Sequence, residues 1–320
     1  LLSFNLKKLK YRYKMNDLKY FVFTLFLLSL VSCEDDRFSS TKVIEFPDHV
    51  SKLAVTSHLS VPVSSEFVYQ TAPTAFVGNS LGIVEDVDFS IFPDASVKLY
   101  KEDELLFDFT YETDNNLFKG PETIELTEGT YRMDVSADGY ESLSTTQVMP
   151  SKAKIQEVTY EFEKVPYDFD ENLYDLLKVT IDDPADEENF YAFELYFTVK
   201  SSFNADTITF EAYSFTDDPV VEYGYDVGEI IPDISFNGNS YDLRLLQQSE
   251  WSVSQGDELI SANVIIYSLS KDYYFYETTR SLNSDAQGNP FAEPVLVHSN
   301  FENGFGVFTL NNAVEYRYEF

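Results

Sequence analysis

Apolar and polar residues alternate at a period of two along much of this chain, and no other feature constrains its fold as strongly. Ser96-Val97-Lys98-Leu99-Tyr100 alternates, and so does Thr130-Tyr131-Arg132-Met133-Asp134-Val135. Successive side chains of an extended strand point to opposite faces, so such a segment makes one buried face and one wet face. Asn189 to Val199 and Asp206 to Tyr213 are instead dense in aromatic and β-branched residues, which suit a pleated surface. Turn chemistry separates the runs at Glu128-Gly129, Asp138-Gly139, Asn237-Gly238 and Gln287-Gly288-Asn289-Pro290. Short strands in this rhythm predict an all-β sandwich or barrel.

Composition decides whether such strands can pack. The 55 Asp+Glu against 22 Lys+Arg give a net charge of −33. Charge of that size would suit a disordered acidic segment, but disorder also needs few aromatics and low hydrophobicity. Here 28 Phe, 23 Tyr and 1 Trp accompany a hydrophobic content of 44%. The chain therefore has a sizeable core and an acidic surface. That surface excludes nucleic-acid partners, which require a basic patch, and charge-driven docking on anionic lipid. A single Cys cannot close an internal disulfide, and with three His it builds no Cys/His metal framework. No cofactor is called for.

One segment breaks the strand rhythm. Ser270 can cap a helix over Lys271–Leu282, with Asp272 in its first turn. Tyr273, Tyr276 and Arg280 would then share one face, although the Tyr and Thr content also suits a strand. Pro166 to Asn172 interrupts the pattern again, and the length predicts about two domains. We therefore expect a β-sandwich domain over 49–165 and a larger antiparallel β domain over 166–320, with one or two short helices. The stretch from Asp94 to Tyr140 resembles transthyretin-like or carboxypeptidase-regulatory-like modules, so the first domain is expected to be an Ig/transthyretin-like sandwich. In it Gly129 and Gly139 supply positive φ and Tyr131 packs in the core.

The N-terminal region reads as an address. Lys7, Lys8, Lys10, Arg12, Lys14 and Lys19 precede an 11-residue apolar run, Phe21 to Val31. That run fits a signal-peptide core of about 7–15 residues and is too short for a spanning helix of about 20. Leu30, Val31 and Ser32 before Cys33 resemble a bacterial lipobox, in which the Cys receives acyl chains after cleavage. The alternative is a buried Cys in a hydrophobic element. Residues 1–32 are then upstream sequence plus signal peptide, starting at Met15, and 33–48 is a tether. Removing 1–32 takes away six of the 22 basic and one of the 55 acidic residues, leaving 16 against 54, a net of −38. Acyl chains on Cys33 would hold the protein in the outer-membrane bilayer, each buried CH₂ contributing about 0.8 kcal/mol. Glu34, Asp35 and Asp36 resemble the signal by which Bacteroidetes export lipoproteins to the cell surface; read as plain physics, they begin a solvated linker.

Three blocks carry a wider resemblance. They are Ile181-Asp182-Asp183-Pro184 with Glu188-Asn189-Phe190-Tyr191, then Pro232 to Tyr241. Last comes the run from Asp272-Tyr273-Tyr274-Phe275-Tyr276 through Gly288 to Val295 and Ser299 to Phe308. In this order they resemble the Bacteroidetes lipoprotein family of domain of unknown function 4249. Phe301 stands where an aliphatic residue is expected, and Phe190 where Tyr is common. The family has no established reaction. The resemblance implies a surface lipoprotein that serves a TonB-dependent outer-membrane receptor as an accessory or ligand-binding partner.

Within the last block, Pro290 and Pro294 bracket Phe291, whose ring can plug a core. Gly304 and Gly306 permit close backbone approach. The block either closes the β structure or contacts a ligand or partner, and Trp251, Phe291, Asn300 and Asn303 are the contact candidates. Trp251 can stack on a sugar ring or simply pack.

No His-Glu-x-x-His motif and no phosphate loop occurs in the sequence. His298 and Ser299, adjacent in an expected strand, would point to opposite faces. Asp182, Asp183 and Asp186 are a weak Ca²⁺ candidate or a solvated acidic loop. These readings predict a non-enzymatic surface lipoprotein. A surface adhesion or structural role is the competitor, and a glycan hydrolase built on two carboxylates a remote third.

Overall fold

The computed structural model describes residues 49–61, 72–82, 89–122, 124–166, 173–185, 187–204, 206–248, 256–287, 289, 291–293 and 295–320. Cys33, the lipobox Leu30 to Ser32, the acidic Glu34 to Asp36, Met15, Trp251 and Asp186 lie outside these residues.

The protein is all-β with one α-helix among the described residues. The first half contributes β1 (Leu53–Ser60), β2 (Thr74–Asn79), β3 (Ser96–Lys101), β4 (Glu104–Asp108), β5 (Thr110–Glu112), β6 (Leu117–Lys119), β7 (Thr130–Ser136), β8 (Leu143–Val148) and β9 (Lys154–Pro166). The second half contributes β10 (Leu173–Asp182), β11 (Phe190–Lys200), β12 (Thr207–Glu211), β13 (Glu222–Tyr223), β14 (Glu229–Pro232), β15 (Ser240–Gln248), β16 (Glu258–Leu269) and β17 (Phe305–Glu319). Between β16 and β17 lies α1 (Lys271–Ala286).

The long sheet runs β13-β14-β11-β16-β17-β1-β2-β6-β5, with β12 beside β14 on the same edge of β11. Two smaller sheets, β4-β3-β7-β8 and β15-β10-β9, complete the set. Each small sheet packs on its own part of the long one. Val97, Leu99, Tyr131, Met133 and Leu143 of the four-stranded sheet share a core with Leu53, Val55, Val77, Phe308 and Leu310. Leu177, Val179, Leu243 and Leu245 of the three-stranded sheet share another with Tyr191, Leu195, Phe197, Val264 and Ile266. The strictly alternating segments become strands with one buried face: β7 alternates intermediate and buried along its whole length. The aromatic-rich β11 is buried on both sides. Tyr191 and Leu195 enter the core under the small sheet, while Phe190 and Ala192 enter a third cluster, with Tyr273 and Tyr274 of α1. A strand covered on both faces has no wet side to keep polar.

Two expectations change here. Residues 49–165 and 166–320 share the long sheet, and His49–Phe320 is one compact unit. The reason is the partner choice of β1, which pairs antiparallel with β2 but parallel with β17, Val55 opposite Gly306. The sheet is therefore not purely antiparallel. A parallel pair cannot be closed by a hairpin, so its strands come from distant parts of the chain. The expected conformations of the first half do hold: Gly129 and Gly139 have φ of +137° and +85°. Tyr131 is fully buried, its hydroxyl donating to the Thr127 carbonyl at 2.8 Å.

Candidate functional site

The helix expected after Ser270 forms, over Lys271–Ala286. Ser270 sits at its N-cap position, but its hydroxyl does not cap. It accepts from Leu310 N–H at 3.4 Å and so faces β17. The first turn is held instead by Asp272. Its carboxylate accepts from His298 Nε2 at 2.7 Å, Gln147 Nε2 at 2.5 Å and Asn300 Nδ2 at 3.2 Å. Burial pushes this carboxyl up, yet the three hydrogen bonds outweigh it and hold it below the ordinary carboxylate range.

Tyr273, Tyr276 and Arg280 do share a face, and two partners from outside the helix meet them there. His58 of β1 lies against Tyr273 and Tyr276, ring centroids 4.6 and 5.7 Å away, with Nδ1 2.7 Å from Thr309 Oγ1. The turn from Gly224 to Gly228, between β13 and β14, closes over the middle of the helix. Gly224 is needed there, because a Cβ would stand 2.6 Å from Val227 Cγ1 and 3.1 Å from Glu277 Cβ. Glu277 is fully buried. Its Oε2 accepts from the backbone N–H of Asp226 at 2.6 Å and of Val227 at 3.0 Å. Its Oε1 has no hydrogen-bond partner and lies 3.7 Å from Arg280 Nη1. The same guanidinium donates to Asp226 Oδ2 at 2.6 Å and stacks 4.1 Å from the Tyr225 ring and 5.2 Å from that of Tyr276.

Beside this clamp opens a cleft of about 290 Å³, lined by Tyr225, Tyr276, Arg280, Val297, Asn283 and Ser284 of the last turns of α1, and Gln287 just past its end. Asn283 is committed to structure: its Nδ2 donates to the Val295 carbonyl at 2.7 Å and its Oδ1 accepts from Gln287 at 2.8 Å. The cleft therefore combines an aromatic wall, a fixed guanidinium and an amide and hydroxyl rim, the composition of a binding pocket. Nothing in it is arranged as a nucleophile with a base.

Burial, then the nearby Arg280 charge, lower the His58 pKa to about 4, against an opposing pull from Asp226. An unfolded His titrates near 6.5. The unfolded chain therefore binds a proton between these values that the folded chain refuses, and stability falls as pH drops from about 6.5 to about 4. The full loss is roughly 3 kcal/mol. Urea titrations across that range should show it, and His58→Gln should remove this component. Identical slopes for the two proteins would refute it.

The sites expected from sequence lie elsewhere. Phe291 does not plug a core; it is 94% exposed. Asn300 braces β17, giving Nδ2 to the Phe308 carbonyl at 2.7 Å and taking the Phe308 N–H at 3.1 Å. Asn303 donates to Glu141 at 2.9 Å. His298 and Ser299 are in no strand; backbone between α1 and β17 is irregular there. Asp182 pairs with Lys154. Asp183 is buried and accepts from Tyr191 at 2.6 Å and Gly238 N–H at 2.9 Å. These two carboxylates are committed to fold contacts, and among the described residues no three His, Cys, Asp or Glu side chains converge as a metal set. Also among the described residues, no helix is long and apolar enough to cross a membrane.

His58, Asp226 and Glu277 were missed by the sequence reading. Glu277 carried a weak signal, one turn from both Tyr273 and Arg280 on the expected helix.

A family model described as a domain of unknown function (DUF4249) matches residues 41–317. No curated protein and no solved structure matches the chain.

Proposed function

The chain belongs to the DUF4249 family, and from that premise we propose that it is a non-enzymatic, surface-exposed outer-membrane lipoprotein of Bacteroidetes type that binds a ligand beside a TonB-dependent receptor. The observation that carries this reading is the order of basic stretch, 11-residue apolar run and Cys33. The family match starts at residue 41, eight positions after that Cys. Two signals, acyl chains and a folded receptor partner, would keep so acidic a body at the membrane without basic surface charge. The α1 cleft supports the binding half of the reading. Its guanidinium and tyrosines are fixed before any ligand arrives, which lowers the ordering cost of binding.

The tagged full chain, purified from native outer membranes, should bring a TonB-dependent barrel with it. Cys33→Ala should end incorporation of labelled palmitate and release the chain from the membrane fraction. Recovery of no barrel would sink the receptor partnership. An unlabelled wild type would sink the anchor.

A further inference from the structure

We propose that the cleft between Tyr225, Arg280 and the end of α1 takes a neutral polyhydroxylated ligand of one or two pyranose rings; this rests on the reading of that cleft as the ligand site. Charge is the first argument. Arg280 looks like an anion receptor, but its guanidinium is already 2.6 Å from Asp226 and 3.7 Å from buried Glu277. An anion would meet two carboxylates around one cation, on a chain whose net charge is −33. A cation fares no better, since it would meet the fixed guanidinium that already lies against Tyr225 and Tyr276. The cleft thus selects against charge of either sign.

Hydrogen-bonding capacity is the second argument. Arg280 only donates, the Ser284 hydroxyl donates and accepts, and Gln287, whose amide N–H goes to Asn283, keeps its Oε1 as an acceptor. A mixed rim of this kind matches vicinal hydroxyls, each of which is both donor and acceptor. The C–H face of a pyranose needs a flat apolar surface, and the Tyr225 ring, 49% exposed, offers one. The volume of about 290 Å³ is at the small end for ligand pockets, which commonly run from about 300 to 1,000 Å³. That size fits one or two rings rather than a long chain bound end to end.

Saturation-transfer NMR on the full chain in a sugar-free detergent tests this. The probes are methyl glucoside, methyl galactoside, methyl mannoside and maltose, with glucuronate and inorganic phosphate as charged controls. At least one neutral probe should bind, and glucuronate should bind about tenfold more weakly than methyl glucoside or not at all. Tyr225→Ala and Gln287→Leu should each weaken the neutral probe about tenfold. Gln287 is at an exposed position, so its variant keeps the wild-type urea midpoint. The proposal is overturned if no neutral probe binds, if glucuronate or phosphate binds as tightly, or if both variants bind like wild type. A silent sugar panel with the receptor still co-purifying would end this proposal and leave the receptor partnership intact. Sugar binding without a receptor would do the reverse.

Discussion

Gly306→Ala should abolish folding or cost at least about 4 kcal/mol, well beyond an ordinary substitution. Gly306 has φ of +96°, a region that disfavours any residue with a Cβ. Strain alone would cost only about 1–3 kcal/mol. The larger effect is steric: a Cβ here would stand 1.9 Å from the Val55 carbonyl oxygen and 2.7 Å from its carbon. Val55 cannot retreat, because it is fully buried and β1 is held on its other edge by β2, Val55 opposite Val77. The clash therefore falls on the one strand pair that ties the two halves of the long sheet together. Gly139→Ala is the control. Its φ is +85°, but nothing lies within 4 Å of an added Cβ, so it should lose only the strain. Urea denaturation of both variants separates the two causes. Equal, small losses would mean that β1 does not lie against β17 as described.

Much of the fold could be read from residue order because its signals are local. The alternation in β3 and β7 and the cap-and-periodicity pattern of α1 each involve neighbours only a few positions apart. The pairing of β1 with β17 has no such signal. His58 and Thr309 are 251 positions apart, and what joins them is two complementary buried strand edges. The two-domain expectation failed at that point for the same reason. Phe291 shows the converse limit. Its flanking prolines predict a stiff extended segment, but stiffness does not say whether the ring points in or out, and it points out.

The cleft was half legible. The helix pattern places Tyr273, Tyr276 and Arg280 on one face, yet the chemistry of that face depends on what the β13–β14 turn sets against it. Gly224 and Gly228 bracket that turn in the sequence, but they look like many other surface turns. Only the three-dimensional arrangement turns Arg280 from a free cation into a neutralised one. That change reverses the ligand class expected from the residue alone.

Glu277→Ala should be nearly as damaging as Gly306→Ala, at about 3–5 kcal/mol, and for an electrostatic reason. Glu277 is a carboxylate with no exposure, and two turn amides and one guanidinium depend on it. Its removal leaves the part-buried Asp226 and Val227 N–H groups without their acceptor, each costing up to about 1–3 kcal/mol to the extent that water does not replace it. Glu277→Gln keeps one carbonyl oxygen of the right reach, so it should preserve the turn and lose only the attraction to Arg280. Hydrogen exchange distinguishes these outcomes. In Glu277→Ala the Asp226 and Val227 amides should exchange like an open loop, while in Glu277→Gln they should stay protected. Without the clamp, Tyr225 and Asp226 would no longer be held over Arg280, and the guanidinium would regain its charge toward solvent. The alanine variant should therefore acquire affinity for phosphate that the wild type lacks. Protection of both amides in Glu277→Ala, with no gain in phosphate binding, would show that the turn holds itself and that Arg280 is neutralised by Asp226 alone.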